Sequence, residues 1–386
     1  MIQGFSGQSE YTFNQDVQVT DLGNGTDESL WQSASGTVGY VRLDGSNLGN
    51  TELYSNAAVN DLAGLISVNK NHYCGKIEGN DCVPIFKGTN YDSLVAANGG
   101  NIPTDIPFIS MSKDAGEIFE ASVINSSEPA SIELIIDVTN DQERTIYVPC
   151  GTMQGRTSEV VIAGGHHDTV YQAEGAVDDS SGVATLQEIA RQFSILESNL
   201  GKPEHTIYFC TWGGEEEGLW GSKEWVDKYR SMLSENLRLN INLDMNHVDL
   251  ERNNGLTIYG NSPKDTKIVR GIVATFSDIH ADLSSKYSVN VNDIQSTAMP
   301  YNSDHAPFVY EIDNQPDDGM EYGKALVCYG SGSSEYHTYL DTMDRFNEES
   351  LSLIHISEPT RPERIAVAVV CWKKKKGGGG GGGGGG

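Results

Sequence analysis

Two apolar patterns divide the chain. Between residues 131 and 350, short continuous apolar runs alternate with segments of helical periodicity. Val160-Val161-Ile162-Ala163 and Thr206-Ile207-Tyr208-Phe209-Cys210-Thr211 read as buried strands, Leu237 to Leu243 alternates with period two, and Ala325 to Tyr329 reads as a late strand. From Gly182 to Leu196, the apolar residues Leu186, Ile189, Ala190, Phe193 and Leu196 recur at helical spacing, while Gln187, Glu188, Arg191 and Gln192 face away. That is an amphipathic helix lying on a sheet. A second helix is expected over Lys264 to Phe276, after Ser262-Pro263. Ser131 to Val138 and Arg144 to Val148 predict a hairpin around the polar turn Asn140-Asp141-Gln142. Strands alternating with helices imply a three-layer α/β/α sandwich with a mixed, mostly parallel sheet.

Residues 17–128 differ: short apolar runs are separated by Gly, Asn, Asp and Pro. Val38 to Leu43 reads as a strand, Ala57 to Ala63 as a short helix, Ala63 to Asn69 and Ile106 to Met111 as strands, and Ser112 to Ala121 as a helix. No cluster of His, Cys and acid there would carry chemistry. The order of these elements resembles a protease-associated domain, an inserted β-rich unit; the resemblance implies a lid or substrate-restricting role, with an inert insertion as the alternative. The expected division is therefore 17–128 for this domain and 129–350 for a catalytic domain, of which 1–16 would be a remnant of the N-terminal part. Residues 351–386, beginning Leu351-Ser352-Leu353-Ile354-His355-Ile356 and ending in a lysine run and ten glycines, read as a translated sequencing adapter and homopolymer rather than as fold.

Charge removes several classes of function. The formal net charge is −28 and the pI near 4.5, which argues against electrostatic binding to nucleic acid or to an anionic membrane. No stretch is apolar enough for a membrane span, and Met1-Ile2-Gln3-Gly4-Phe5-Ser6 lacks the charged start and apolar core of a signal peptide. Cys74 and Cys82 could close a small disulfide, whereas Cys210 reads as a buried strand residue. Asn24-Gly25-Thr26 and Asn125-Ser126-Ser127 fit glycosylation acceptors. Together these favour a secreted or lumenal protein.

The chemistry lies just past the strands. His166 and Asp168 follow the first buried strand, Glu215-Glu216-Glu217 the second, Asp244 the third and Tyr336-His337 the fourth. Asp178-Asp179 follows His166 by twelve residues. Imidazoles and carboxylates without cysteine suit zinc that stays open to water and substrate. In order, Gly165-His166-His167-Asp168-Thr169-Val170, Asp178-Asp179-Ser180-Ser181-Gly182, Trp212-Gly213-Gly214-Glu215-Glu216-Glu217-Gly218-Leu219-Trp220-Gly221-Ser222, Leu243-Asp244-Met245, Ser303-Asp304-His305-Ala306-Pro307-Phe308 and Tyr336-His337-Thr338-Tyr339-Leu340-Asp341-Thr342 resemble the motifs of the co-catalytic zinc aminopeptidases. Relatives in that family include glutamate carboxypeptidases and, more remotely, glutaminyl cyclases. The resemblance spans about Ser131 to Arg345; the acidic insert Glu311 to Tyr322 departs from it, as do the missing C-terminal helix and the short N-terminus.

Position by position, the resemblance implies two zinc ions: His166 and Asp244 bind one, Glu216 and His337 the other, and Asp178 bridges both. Glu215 becomes the general base, acting on a water between the metals. Asp168 is expected to orient the imidazole of His166, and Asp341 to fix its loop or the imidazole of His337. Tyr336 either donates to the oxyanion or simply packs. The Asp178-Asp179 peptide is expected to be cis. His167 reads as a spacer, Glu217 as solvated, Asp304 and His305 as supports; His72, His205, His247 and His280 read as structural. The function implied is a metallo-aminopeptidase acting on peptides with a free N-terminus. Carboxypeptidase or dipeptidase, glutaminyl cyclase and non-catalytic binding module remain as alternatives. No basic residue near the motifs declares itself as a clamp for a substrate carboxylate.

Overall fold

A computed structural model describes residues 17–43, 48–68, 95–96, 106–127, 131–137, 145–171, 173–312 and 323–351. Cys74, Cys82, His72, most of the acidic insert and the tail after Leu351 lie outside the described residues.

The first unit is a five-stranded sheet in the order β4-β3-β2-β1-β5. β1 (Val17–Asp21), β2 (Val38–Arg42), β3 (Gly64–Val68) and β4 (Phe108–Met111) run parallel, and β5 (Ser131–Ile132) pairs antiparallel with β1. All five residues of β3 are buried, because both faces of the sheet are covered. Leu65 joins Leu22, Trp31, Leu53 and Phe108 on one face, while Ile66 and Val68 join Val38, Tyr40, Leu134 and Ile136 on the other. The unit is thus parallel α/β, with more helix than a β-rich insertion. Its second helix is Asn50–Val59, earlier than Ala57 to Ala63: Glu52 accepts from the Gly49 N–H at 2.9 Å and nucleates the helix ahead of the alanines. Helix Lys113–Phe119 agrees with expectation and continues as one wider turn to Ile124. Among the described residues the expected hairpin does not form, and its turn, with residues 138–144, lies outside them. Ser131 and Ile132 belong instead to the first sheet, where an open edge of β1 offers them backbone partners, and residues 145–149 form no strand.

The second unit is a seven-stranded mixed sheet in the order β11-β10-β12-β9-β7-β8-β6. β7 (Val160–His166) lies between β8 (Thr206–Trp212) and β9 (Leu237–Asp244), parallel to both, and β9 is parallel to β12 (Ala325–Tyr329). β10 (Gly255–Gly260) pairs antiparallel with β12 and parallel with β11 (Ser288–Asp293), and β6 (Cys150–Met153) is antiparallel to β8. Every residue of β7 is buried. Val161 and Ala163 face Leu186, Ile189 and Phe193 of the helix Ser180–Leu200, and Val160 and Ile162 face Trp225, Val226 and Phe308. Helices on both faces make this the expected α/β/α sandwich. Among the described residues no helix is long and apolar enough to cross a membrane.

Cys210 is buried but not free, contrary to its expected role. Its register partner across β6 and β8 is Cys150, and the two form a disulfide with Cα atoms 4.1 Å apart. Cys328 is the free cysteine among the described residues. The disulfide closes a separation of 60 residues, so the double variant Cys150→Ala/Cys210→Ala should lose about 2–4 kcal/mol of stability. Urea midpoints under non-reducing conditions measure this; an unchanged midpoint would show that the cross-link is idle.

Candidate metal centre

The strand ends meet because the strands are parallel and in register. His166, the last residue of β7, lies beside Trp212 at the end of β8, and Asp244 at the end of β9 lies beside Tyr329 of β12. The crevice beyond such ends is where open α/β sheets hold ligands. The turn after β8 delivers Glu215 and Glu216, and the loop after β12 delivers Tyr336 and His337. Asp178 arrives just before the helix Ser180–Leu200, and the Asp178-Asp179 peptide bond is cis. The glycines here make room: a Cβ on Gly165 would lie 2.6 Å from the Leu243 carbonyl and 2.8 Å from the Asp179 carboxylate. His337 sits in left-handed backbone, at φ 56°, a conformation that non-glycine residues keep only where the surroundings hold them.

Asp178 is the hub. His166 Nε2 lies 3.0 Å from Oδ1, and His337 Nε2 lies 3.2 Å from Oδ2 and 3.0 Å from Glu216 Oε2. Two groups result, His166–Asp178–Asp244 and Asp178–Glu216–His337, each with donor atoms within 4.8 Å of one another. Burial alone would raise the Asp178 carboxyl, but hydrogen bonds from the two imidazoles hold it below the ordinary range. His337 is raised to about 10: burial opposes its charge, but Asp178 and Glu216 outweigh burial. Burial first, then neighbouring carboxylates, pushes Glu216 to about 7 and Asp244 to about 6. Glu215 is raised well above its usual value, again by burial and then by Asp244, Asp304 and Glu216 against the pull of His166.

The supporting residues engage both side chains and main chain. The Asp168 carboxylate stands 3.8 Å from His166 Nδ1, whereas the Asp168 backbone carbonyl accepts from that nitrogen at 2.9 Å. The turn after β7 folds its own main chain onto the ring, and the carboxylate instead accepts from the Glu216 N–H at 3.1 Å. Asp341 accepts from the backbone N–H groups of Val177 and Asp178, at 2.9 and 3.1 Å, and so ties its loop to the chain at Asp178. Tyr336 stacks on His337 with ring centroids 3.8 Å apart, and burial raises its phenol. His167 and Glu217 are exposed. Asp304 is buried and raised to about 7, chiefly by burial, while burial pushes His305 down to about 4; neither belongs to the two groups.

Sequence reasoning passed over Asp179. Its Oδ1 accepts from the N–H of Gly182 at 2.9 Å and of Met245 at 2.8 Å, so it caps the long helix and ties the helix start to the end of β9. The signal was present, since Asp followed by Ser-Ser-Gly ahead of a periodic run is a helix N-cap.

These residues fit divalent cations. None of the leading influences on Asp178, Asp179, Glu215, Glu216, Asp244 and Asp304 is a lysine or arginine; among the described residues the leading cationic partners of these acids are His166 and His337. Buried Oε1 of Glu216 and Oδ2 of Asp179 have no hydrogen-bond partner. Buried carboxylates in such company call for positive charge. The donor set of nitrogen and oxygen suits zinc, and the protons that the imidazoles share with Asp178 are those that metal binding releases.

An open α/β sheet whose strand ends converge on buried imidazoles and carboxylates defines a class of metal-dependent hydrolases. The chain belongs to peptidase family M28, whose model matches residues 150–356. It is 31% identical over 244 residues to "Aminopeptidase NAALADL1" of Mus musculus, a match covering 57% of this chain and 31% of that protein. Over 127 residues it is 36% identical to "Probable glutamate carboxypeptidase LAMP1" of Arabidopsis thaliana, covering 33% of this chain and 17% of that protein. These matches therefore take in less than a third of the length of either relative. A zinc aminopeptidase from Bacillus subtilis shares the fold, with a TM-score of 0.65 at 20% identity, covering 97% of this chain and 79% of that one. A peptidase M28 precursor from Shewanella amazonensis does so with a TM-score of 0.63 at 15% identity, covering 97% and 78%.

Proposed function

We propose that this chain is a zinc-dependent exopeptidase, and within that class an aminopeptidase, holding two zinc ions per chain. His166 and Asp244 would hold one ion, Glu216 and His337 the other, and Asp178 both. Zinc there would supply Lewis acidity toward the scissile carbonyl and the attacking water. The observation that carries the reading is the sharing of Asp178 by two ligand groups, with Glu215 beside them and outside both. Glu215 would take a proton from the attacking water and return it to the leaving amine. The Asp168 carbonyl keeps a proton on His166 Nδ1, leaving Nε2 to face the centre. Asp341 and Asp179 fix the main chain on either side of the cis bond, so that Asp178 keeps one orientation. Tyr336 stands beside His337 as the candidate donor to the oxyanion.

Preference for an amino terminus is supported by charge. A site in which the buried carboxylates Asp178, Asp179, Glu215, Glu216, Asp244 and Asp304 outnumber the imidazoles of His166 and His337 suits a substrate ammonium, whereas a carboxypeptidase needs a cation for the substrate carboxylate. The disulfide Cys150–Cys210 supports an oxidising, secretory or lumenal setting. The test is metal content per chain combined with two substrate panels, aminoacyl anilides and N-acylated dipeptides ending in glutamate. The expected result is two zinc per chain, hydrolysis of the anilides, loss on chelation and recovery with zinc. Activity that survives metal removal would sink the metal mechanism, and exclusive cleavage of the N-acylated dipeptides would make the enzyme a carboxypeptidase.

A further inference from the structure

We infer that His247 is a positioning residue that clamps the loop carrying Tyr336, His337 and Asp341, and that this clamp sets zinc affinity on the His337 side of the centre. The metal part rests on the reading under Proposed function; the clamp itself rests on geometry. In sequence His247 is one more histidine near a strand end. In the fold it is 2% exposed, three residues beyond Asp244, and both ring nitrogens engage opposite ends of one loop. Nε2 accepts from the backbone N–H of Asn347 at 2.9 Å, and Nδ1 faces the Gly332 carbonyl at 3.4 Å. A single neutral tautomer, protonated on Nδ1, satisfies both contacts, and burial favours the neutral ring. The ring also packs at a tilt against Phe346, with centroids 4.7 Å apart.

The main chain around His247 repeats the pattern. Gly330 N–H donates to Met245 and Ser331 N–H to His247, each at 2.9 Å, and Val248 bridges to Gly332. At the far end, Asn347 Nδ2 donates to the Val248 carbonyl at 2.9 Å. A Cβ on Gly330 would have no room against the His247 carbonyl, so the two backbones are pressed together. Segment 245–248 therefore joins residues 330–332 to residues 346–347, and the part of the chain closed off between them contains Tyr336, His337 and Asp341. His337 occupies left-handed backbone within that closed loop, a conformation that depends on its ends being held. A histidine that merely filled the core would not need to join the two ends of the loop that carries a metal-type ligand.

The test uses the full chain and two variants. His247→Leu keeps bulk but has no acceptor for the Asn347 N–H; His247→Gln offers an amide oxygen in its place. Zinc titration against a competing chelator should show one of the two equivalents weakened about 10- to 100-fold in His247→Leu, with the other within about threefold, and partial rescue in His247→Gln. Amide hydrogen exchange of the metal-free protein should accelerate across residues 333–346 while β7 and β9 keep their protection. Equal weakening of both equivalents with a global rise in exchange, or no change in either measurement, would overturn the clamp. A wild-type chain that takes up no zinc would defeat the metal reading alone, and exchange in the metal-free protein would still decide whether His247 holds the loop.

Discussion

Glu215→Gln is expected to lower kcat/KM for aminoacyl-anilide hydrolysis by about 10²–10⁴-fold while zinc per chain stays unchanged. Glutamine matches the carboxylate in shape, so the turn Gly213–Gly218 should keep its form. What disappears is the ability to accept a proton. Glu215 suits that task because it is outside both ligand groups yet feels His166, Asp244 and Glu216 directly. Its carboxyl is raised, first by burial, so it holds a proton more readily than an exposed glutamate and can hand that proton on. Measuring kcat and KM separately adds discrimination, since loss of a proton acceptor falls on kcat and leaves KM nearly still. A variant within tenfold of wild type would remove Glu215 from the mechanism, and loss of zinc alongside activity would recast it as a ligand.

Asp178→Asn is expected to weaken both zinc equivalents together, by more than about 100-fold, and to abolish measurable hydrolysis. Ordinary outer contacts to a ligand are worth about 10–100-fold in affinity, and a carboxylate shared by both groups should exceed that. The amide keeps one oxygen but loses the charge and the second acceptor. In the metal-free protein His166 loses its closest carboxylate oxygen and His337 loses one of its two, keeping Glu216, so circular dichroism and a urea midpoint should accompany the titration. Asp168→Asn makes the comparison: its carboxylate takes the Glu216 N–H, and its main-chain carbonyl, which holds His166, is untouched. It should cost activity and leave much of the zinc bound. Should Asp168→Asn prove the more damaging to metal binding, the hub has been misplaced.

Much of the second sheet could be read from the sequence because its central strands are buried on both faces. β7, β8, β9 and β12 show as apolar runs, and the candidate ligands stand at their ends or in the segments that follow, so strand ends and candidate chemistry could be read together. β10 and β11 escape the sequence because they lie toward an edge, where Thr257 and Tyr259 are only partly covered, Asn290 and Asn292 are exposed, and the apolar signal thins. β6 was hidden for a similar reason: Gly151 and Thr152 are exposed, and what locates the strand is a partner cysteine 60 residues away. Ser131 and Ile132 pair with β1 rather than locally because a two-residue strand carries too little pattern to choose between a local partner and the free edge of another sheet. At the site, residue identity announced ligand type, but which atom of Asp168 holds His166 depends on a turn conformation that composition does not encode. His247 was unreadable for a further reason, since its importance lies in joining residues 85 and 100 positions away.

The Asp341 carboxylate receives the N–H groups of Val177 and Asp178, across 164 and 163 residues of chain. During synthesis, the hub ligand is made long before the group that fixes its backbone has left the ribosome. Contacts of such separation form late, after the intervening chain has paid its loop-closure entropy. The sheet and the long helix can assemble first, with His166, Asp178, Glu216 and Asp244 already near one another but Asp178 unclasped. Arrival of residues 330–347 would then supply His337 and the Asp341 clasp together. On the proposed reading, competence to hold metal at the shared carboxylate would thereby be tied to completion of the domain.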